Sequence, residues 1–171
     1  MHHTTPELDS EHPFSGKIRA SDREHLLVEI ITLVWDSTLE LPISLRDADP
    51  EEHPVEGPVI VGSIQVTGAW PCTLALAASA ELAAVCAEKF YGRPAAEIPP
   101  EDVMDAWGEL VNQIGGNLKA LVAPPTHLSL PHVVSGSTFT YRVPKTRSIN
   151  ELTFACVGGR LRLTVLRPEH A

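Results

Sequence analysis

The sequence predicts an α+β fold: two pseudo-repeated halves, each a long helix leading into strands, with an antiparallel sheet packed on the long helices. Two observations predict it. Apolar residues recur at helical spacing over 22–41 and 100–122, and at strand spacing in VIVGSIQVTG, CTLALAA, ELTFACV and RLRLTVL. The pattern also repeats: one long helix runs into ISL at 43–45 and then a hairpin, and another runs into LSL at 128–130 and then a hairpin. The helices align as well, EIIT at 29–32 against ELVN at 109–112.

Residues 1–20 are polar, with Pro6 and Pro13, and read as a flexible tail ahead of one domain over 21–171. The first helix opens at Ser21 or Asp22 as cap, with Leu26, Ile30, Leu33, Val34 and Leu41 as its apolar face. ISLR is a short strand, and DADPEEHPVEGP (47–58) an acidic, proline-rich surface loop. Two strands follow around Gly68–Pro71. Ser79 caps a helix that Gly92 ends. Pro100 suits the first turn of the long helix, and Pro124 and Pro125 stop it. THLSLPHVV, STFTYRV, ELTFACV and RLRLTVL complete the chain as strands, the last two a hairpin around Gly158 and Gly159.

At 171 residues the chain can bury an aliphatic core, and 43% hydrophobic with 20% charged residues is a globular composition. A net charge of -9 with no run of Lys and Arg argues against nucleic acid and anionic membranes as partners. No apolar run is long enough to span a bilayer, and the first residues lack the apolar stretch of a secretion signal. Cys72, Cys86 and Cys156 form no CxxC pair and read as small buried hydrophobes of a reducing cytosol. His127 and His132 lie five apart beside prolines, which is not helical ligand spacing, so no metal site is expected.

DAWGELVNQIGGNLKAL, 105–121, is the stretch that carries chemistry. At about 100° per residue, Val103, Trp107, Leu110, Val111, Ile114, Leu118 and Leu121 share one face. Asp105, Glu109, Asn112, Gly116 and Lys119 lie opposite, flanked by Gly108 and Gly115. Glycine inside a helix costs roughly 1 kcal/mol relative to Ala, so Gly108, Gly115 and Gly116 suggest the close approach of another backbone or protein surface, on a face made to enter another molecule's active site. Glu109 and Asn112 are one turn apart; a carboxylate grips a cation, and an amide both donates to and accepts from a water. A solvated helix face is the bland alternative.

The pattern D-x-x-x-E-x-x-N, completed by Asp105, Glu109 and Asn112, resembles that of the CheC, CheX and FliY chemotaxis phosphatases, and GGNLK with LSLPHVV is similar to CheX-type sequence. The resemblance implies a cytoplasmic hydrolase acting on the aspartyl phosphate of a CheY-like response regulator. It makes Glu109 and Asn112 catalytic: Asn112 orients the water and Glu109 grips the lysine beside the phosphorylated aspartate. It leaves Asp105, Gly108, Gly116 and Lys119 as binding residues. Mg2+ is expected on the partner, and this chain needs no cofactor. The first helix offers Glu29 and Thr32, and a short hydroxyl does not replace an amide, so one site is expected. Ser135 stands where the family pattern places a proline, the nearest proline being Pro131. Exposed sheet edges and the CheX resemblance together imply a homodimer. The rival reading is a non-catalytic module on the same fold that binds a receiver domain or a flagellar component. A small-molecule hydrolase lacks support, because no G-x-S-x-G or phosphate-cradling loop occurs.

Overall fold

A computed structural model describes residues 12–14, 18–47 and 57–170. Helix α1 spans Ala20–Leu39, β1 Ile43–Leu45, β2 Val59–Gly68, β3 Cys72–Ser79 and α2 Ala80–Tyr91. Helix α3 spans Pro100–Ala120, followed by β4 Thr126–Leu128, β5 His132–Gly136, β6 Thr146–Cys156 and β7 Gly159–Pro168. The α+β expectation holds. Every strand pairing is antiparallel, in the order β1-β6-β7-β3-β2-β4, with β5 also on β2. The strand after α1 thus lies on the β6–β7 hairpin, and the strands after α3 lie on the β2–β3 hairpin. Each long helix is followed by a strand that edges the other half's hairpin.

Alternation along the strands sends Ile60, Ile64, Leu74, Leu76, Phe154, Leu161, Leu163 and Val165 into one core with the helices. Helix α3 is held closest. A Cβ on Gly62 would meet Val111 at 2.7 Å and Trp107 at 2.9 Å, so only glycine lets α3 lie this near β2. The buried Trp107 indole donates to the Leu76 carbonyl at 3.1 Å, and its ring meets Trp35 of α1 edge-on at 6.3 Å. Trp107 therefore fixes both the height of α3 above the sheet and its contact with α1.

Helix ends follow local chemistry. Ser79 accepts from the Leu82 N–H at 3.1 Å, and Gly92 closes α2 in the left-handed region at φ 65°. Pro100 opens α3 as expected. The β6–β7 turn is Val157–Gly158, both at positive φ (47° and 76°), as a two-residue hairpin loop of right-handed twist requires.

Several expectations are corrected. Helix α1 starts at Ala20 with Arg19 at the cap position, and neither Ser21 nor Asp22 caps it; Asp22 instead accepts from the Arg19 guanidinium at 2.8 Å. Its buried stripe is Leu27, Ile30, Ile31, Val34, Trp35 and Leu39, while Leu33 is 55% exposed. Leu26 and Leu33, seven apart, sit on the border of that stripe. Part of the predicted tail belongs to the core: Phe14 is buried edge-on against Trp70 at 4.7 Å, its N–H donates to the Leu121 carbonyl at 3.0 Å, and Ile18 is buried. Residues 1–11 and most of the acidic 47–58 loop lie outside the described residues.

THLSLPHVV is two strands rather than one. Val66 pairs with Leu128 and Ser63 with His132, so two residues of β2 face three of the other chain segment, Ser129 to Pro131. Pro131 has no N–H for the ladder, and the Ser129 hydroxyl takes the Gln65 N–H at 3.0 Å instead. STFTYRV forms no strand. Gly136 pairs beside Val59 and Thr146 beside Pro168, so the chain between them must pass from one to the other, and 137–143 joins no strand pairing.

Candidate active site

Helix α3 presents its polar stripe outward. Asp105, Glu109, Gly116 and Lys119 are exposed and Asn112 is half-buried, whereas Trp107, Leu110, Val111, Ile114 and Leu118 are buried. The helical-wheel assignment therefore holds residue by residue for these positions. Glu109 and Asn112 sit on successive turns of a helix whose opposite face is buried from Ala106 to Leu118. Glu109 accepts from the Gln113 amide at a long 3.5 Å, and Gln113 Oε1 accepts the Thr38 hydroxyl of α1 at 2.7 Å. Asn117 turns inward, donating to the Gln113 carbonyl at 2.9 Å.

The Asp105 end of the stripe carries its own ion pair. Arg93 donates to Asp102 at 2.7 Å and its guanidinium lies 5.4 Å from the Tyr91 ring centroid. Tyr91 donates to the Asp102 carbonyl at 3.2 Å. Burial raises the Tyr91 phenol above its ordinary pKa, and the Asp102 and Asp105 carboxylates raise it further.

The three glycines divide. Gly116 has open space where a Cβ would stand, which leaves room for another protein. Gly108 and Gly115 are buried, and the rationale of an approaching partner is corrected for both. A Cβ on Gly108 would meet Val133 at 3.3 Å and Pro131 at 3.8 Å; one on Gly115 would meet Ile64 at 3.0 Å and Leu128 at 3.6 Å. These glycines let α3 settle onto β2, β4 and β5. Their spacing of seven places them on one line of the helix, and that spacing was the available signal for a packing seam. Pro131 acquires a position: its ring lies over Gly108. The preceding residue, Leu130, is 82% exposed, and Ser129 before it is tied to both the N–H and the carbonyl of Gln65. Leu130 was not singled out in the sequence, where LSLPHVV reads as unbroken strand.

Helix α1 shows a different surface. Glu29 pairs with His25 at 3.3 Å, and with Thr32, Leu33 and Asp36 it lines an open groove of about 650 Å³ above Val28 and Leu41. A second hollow, about 430 Å³, lies on the sheet between Ala77, Phe139, Arg160 and Arg162. Neither includes Glu109 or Asn112. The α3 stripe is exposed at Asp105, Glu109, Gly116 and Lys119 and half-buried at Asn112.

The cysteines supply no nucleophile. All three are free and buried; burial pushes the Cys72 and Cys86 thiols up to about 12, and Cys156 upward as well. Among the described residues, no group of His, Cys, Asp and Glu comes together as a metal site, and no helix is long and apolar enough to cross a membrane.

Residues 60–155 match the family model for chemotaxis phosphatase CheX. The fold is shared with CheX from Vibrio vulnificus (TM-score 0.66, 17% identity, 83% of this chain and 97% of that one). It is shared with CheX in the CheX–CheY–BeF3–Mg2+ complex from Borrelia burgdorferi (TM-score 0.64, 14% identity, 84% and 97%). FliY from Thermotoga maritima is similar at TM-score 0.55 and 16% identity, over 95% and 91% of the two chains. No curated protein matches the sequence.

Proposed function

The chain belongs to the chemotaxis phosphatase CheX family, and on that premise we propose that it hydrolyses the aspartyl phosphate of a CheY-type receiver domain. The observation that carries this reading is the acid and amide of Glu109 and Asn112, one turn apart on the outward side of a rigidly packed helix. Aspartyl-phosphate hydrolysis needs a water in line with the phosphorus–oxygen bond that breaks, and charge neutralisation around the phosphoryl oxygens. The water's oxygen bonds to phosphorus, the aspartate carboxylate leaves, and the water's protons go to phosphate and solvent. An amide is not a strong base; Asn112 contributes position, its oxygen accepting a hydrogen bond from the water and leaving the lone pair aimed at phosphorus. Glu109 grips the receiver's lysine and so sets the depth and angle at which α3 enters.

The neutralising Mg2+ belongs to the receiver in this reading, and the CheX–CheY complex with BeF3 and Mg2+ supports that division of labour. Asp105, Gly116 and Lys119 complete the contact face, and Gly108 contributes by seating α3 on β5 rather than by touching the partner. Leu130 offers the receiver an apolar contact at the rim. Among the described residues the outer edges of β1 and of β4–β5 have no strand neighbour, which supports a homodimer as the working unit. Light scattering at micromolar concentration checks it, and a monomer mass refutes it.

The direct test adds the purified chain to a phosphorylated receiver domain with Mg2+ and follows phosphate release. Release well above the receiver's own rate is expected. Tight binding of the beryllofluoride-loaded receiver without accelerated release would replace this reading with a non-catalytic binding module.

A further inference from the structure

The seam between α1 and α3 contains a polar connection that the proposed chemistry does not yet use. Gln113 lies one turn beyond Glu109, half-buried, with its amide between the Glu109 carboxylate at 3.5 Å and the Thr38 hydroxyl at 2.7 Å. The direction of both bonds is determined by chemistry. An ionised carboxylate only accepts, so the amide NH2 must face Glu109. That leaves Gln113 Oε1 toward Thr38, whose hydroxyl donates. Thr38 sits in the last turn of α1 and is half-buried. Gln113 is therefore held at both ends: the Glu109 carboxylate fixes which way the amide faces, and the Thr38 hydroxyl, donating in that orientation, ties its far end to the other helix.

We propose that Gln113 is a positioning residue for Glu109, anchored by Thr38 across the α1–α3 seam. The inference rests on the reading of Glu109 as the group that grips the receiver's lysine. One carboxylate oxygen, Oε1, is drawn along the helix toward Gln113, and Oε2 is left to the partner. An exposed glutamate otherwise samples many rotamers, and fixing them belongs to the cost of binding. Gln113 moves part of that ordering into the free protein. The first helix, which lacks the amide at its own Thr32, contributes to the α3 site through Thr38 instead.

Two variants, one of them repeated in a Glu109→Ala background, separate positioning from packing. Gln113→Met keeps length and volume but removes both hydrogen bonds. Thr38→Val keeps shape and removes only the anchor. Each is expected to leave the melting temperature near that of the parent and kcat within about two-fold. KM for the phosphorylated receiver should rise about three- to ten-fold for Gln113→Met and less for Thr38→Val. In a Glu109→Ala background, Gln113→Met should change KM no further. A KM unchanged by Gln113→Met overturns the proposal, and so does an equal loss with and without Glu109, which marks a merely structural role. Side-chain NMR of Glu109 tests the positioning apart from catalysis. One dominant rotamer in the parent that averages in Gln113→Met supports it; averaging in both overturns it. A parent that releases no phosphate overturns the phosphatase reading and leaves the NMR result to decide the positioning.

Discussion

Helices α1 and α3 occupy matching places in the order of elements, each ahead of a strand that edges the other half's hairpin, and each shows an outward glutamate. Their surfaces differ in kind. On α3 the glutamate is followed one turn later by Asn112 and two turns later by Gly116, which has nothing within reach of a Cβ. On α1 the corresponding glutamate is paired with His25, the residue one turn on is Thr32, and Leu33 stands out 55% exposed beside them. The first arrangement clears space around an acid and an amide. The second has no amide beside its acid, sets an imidazole 3.3 Å from it and exposes an apolar side chain next to it. Two helices with matching places in the order of elements thus carry different side-chain chemistry, and under the proposed function only the α3 face has the amide to position a water.

Breaking the α3 face at its amide should have the largest effect. Asn112→Ala removes the water's holder but leaves the backbone and Glu109 in place. If water positioning supplies about 3 kcal/mol, kcat falls on the order of 100-fold with binding of the beryllofluoride-loaded receiver unchanged. Normal binding with undiminished turnover would end the catalytic assignment. Glu109→Ala should act on the complex instead, weakening affinity by about 2 kcal/mol, roughly thirty-fold, and lowering kcat/KM with it. Titration calorimetry beside the phosphate-release assay separates the two variants. Both side chains point away from the core, so both proteins should melt with the parent.

The glycines sharpen the comparison at the next level, between the packed and open sides of α3 itself. A methyl at Gly115 meets Ile64 at 3.0 Å, and Ile64 lies in the core. Gly115→Ala should therefore destabilise by about 1–2 kcal/mol through overpacking. Gly116→Ala adds its methyl to open space and should gain up to about 1 kcal/mol from helix propensity, at the expense of receiver affinity. Urea denaturation of the two variants decides the signs. If Gly116→Ala binds the receiver as the parent does, Gly116 is no part of the contact face.

Legibility in the sequence followed how local each cause is. The α3 stripe was legible because it depends only on 3.6-residue periodicity in one helix, and the Ser79 and Gly92 ends because caps are short-range. The fate of STFTYRV was not, since its alternation is strand-like and only the distant pairings of Gly136 and Thr146 deny it a neighbour. Phe14 and Ile18 were hidden for a similar reason: a polar, proline-punctuated segment reads as tail until Trp70 and the end of α3 provide a surface for it. Gly108 misled because its cost was visible and its packing partners, Pro131 and Val133, lie on another element. The Thr38–Gln113 bond joins residues 75 apart, and no local pattern announces it.

The smallest effect belongs to the α1 face, and its smallness is the point. Glu29→Ala with Thr32→Ala should leave receiver dephosphorylation within a few-fold of the parent, because both side chains are exposed and neither can hold a water as an amide does. A large loss without unfolding would mean that α1 carries chemistry of its own. The converse substitution presses harder on the comparison. Thr32→Asn restores the acid-and-amide spacing on α1, yet Glu29 is still paired with His25 and Leu33 still projects beside it. In an Asn112→Ala background, Thr32→Asn should therefore recover less than a tenth of the lost rate. Recovery beyond that would show that the amide alone separates the two helices; recovery only after His25→Ala and Leu33→Ala are added would show that clearance around the acid matters as much as the amide.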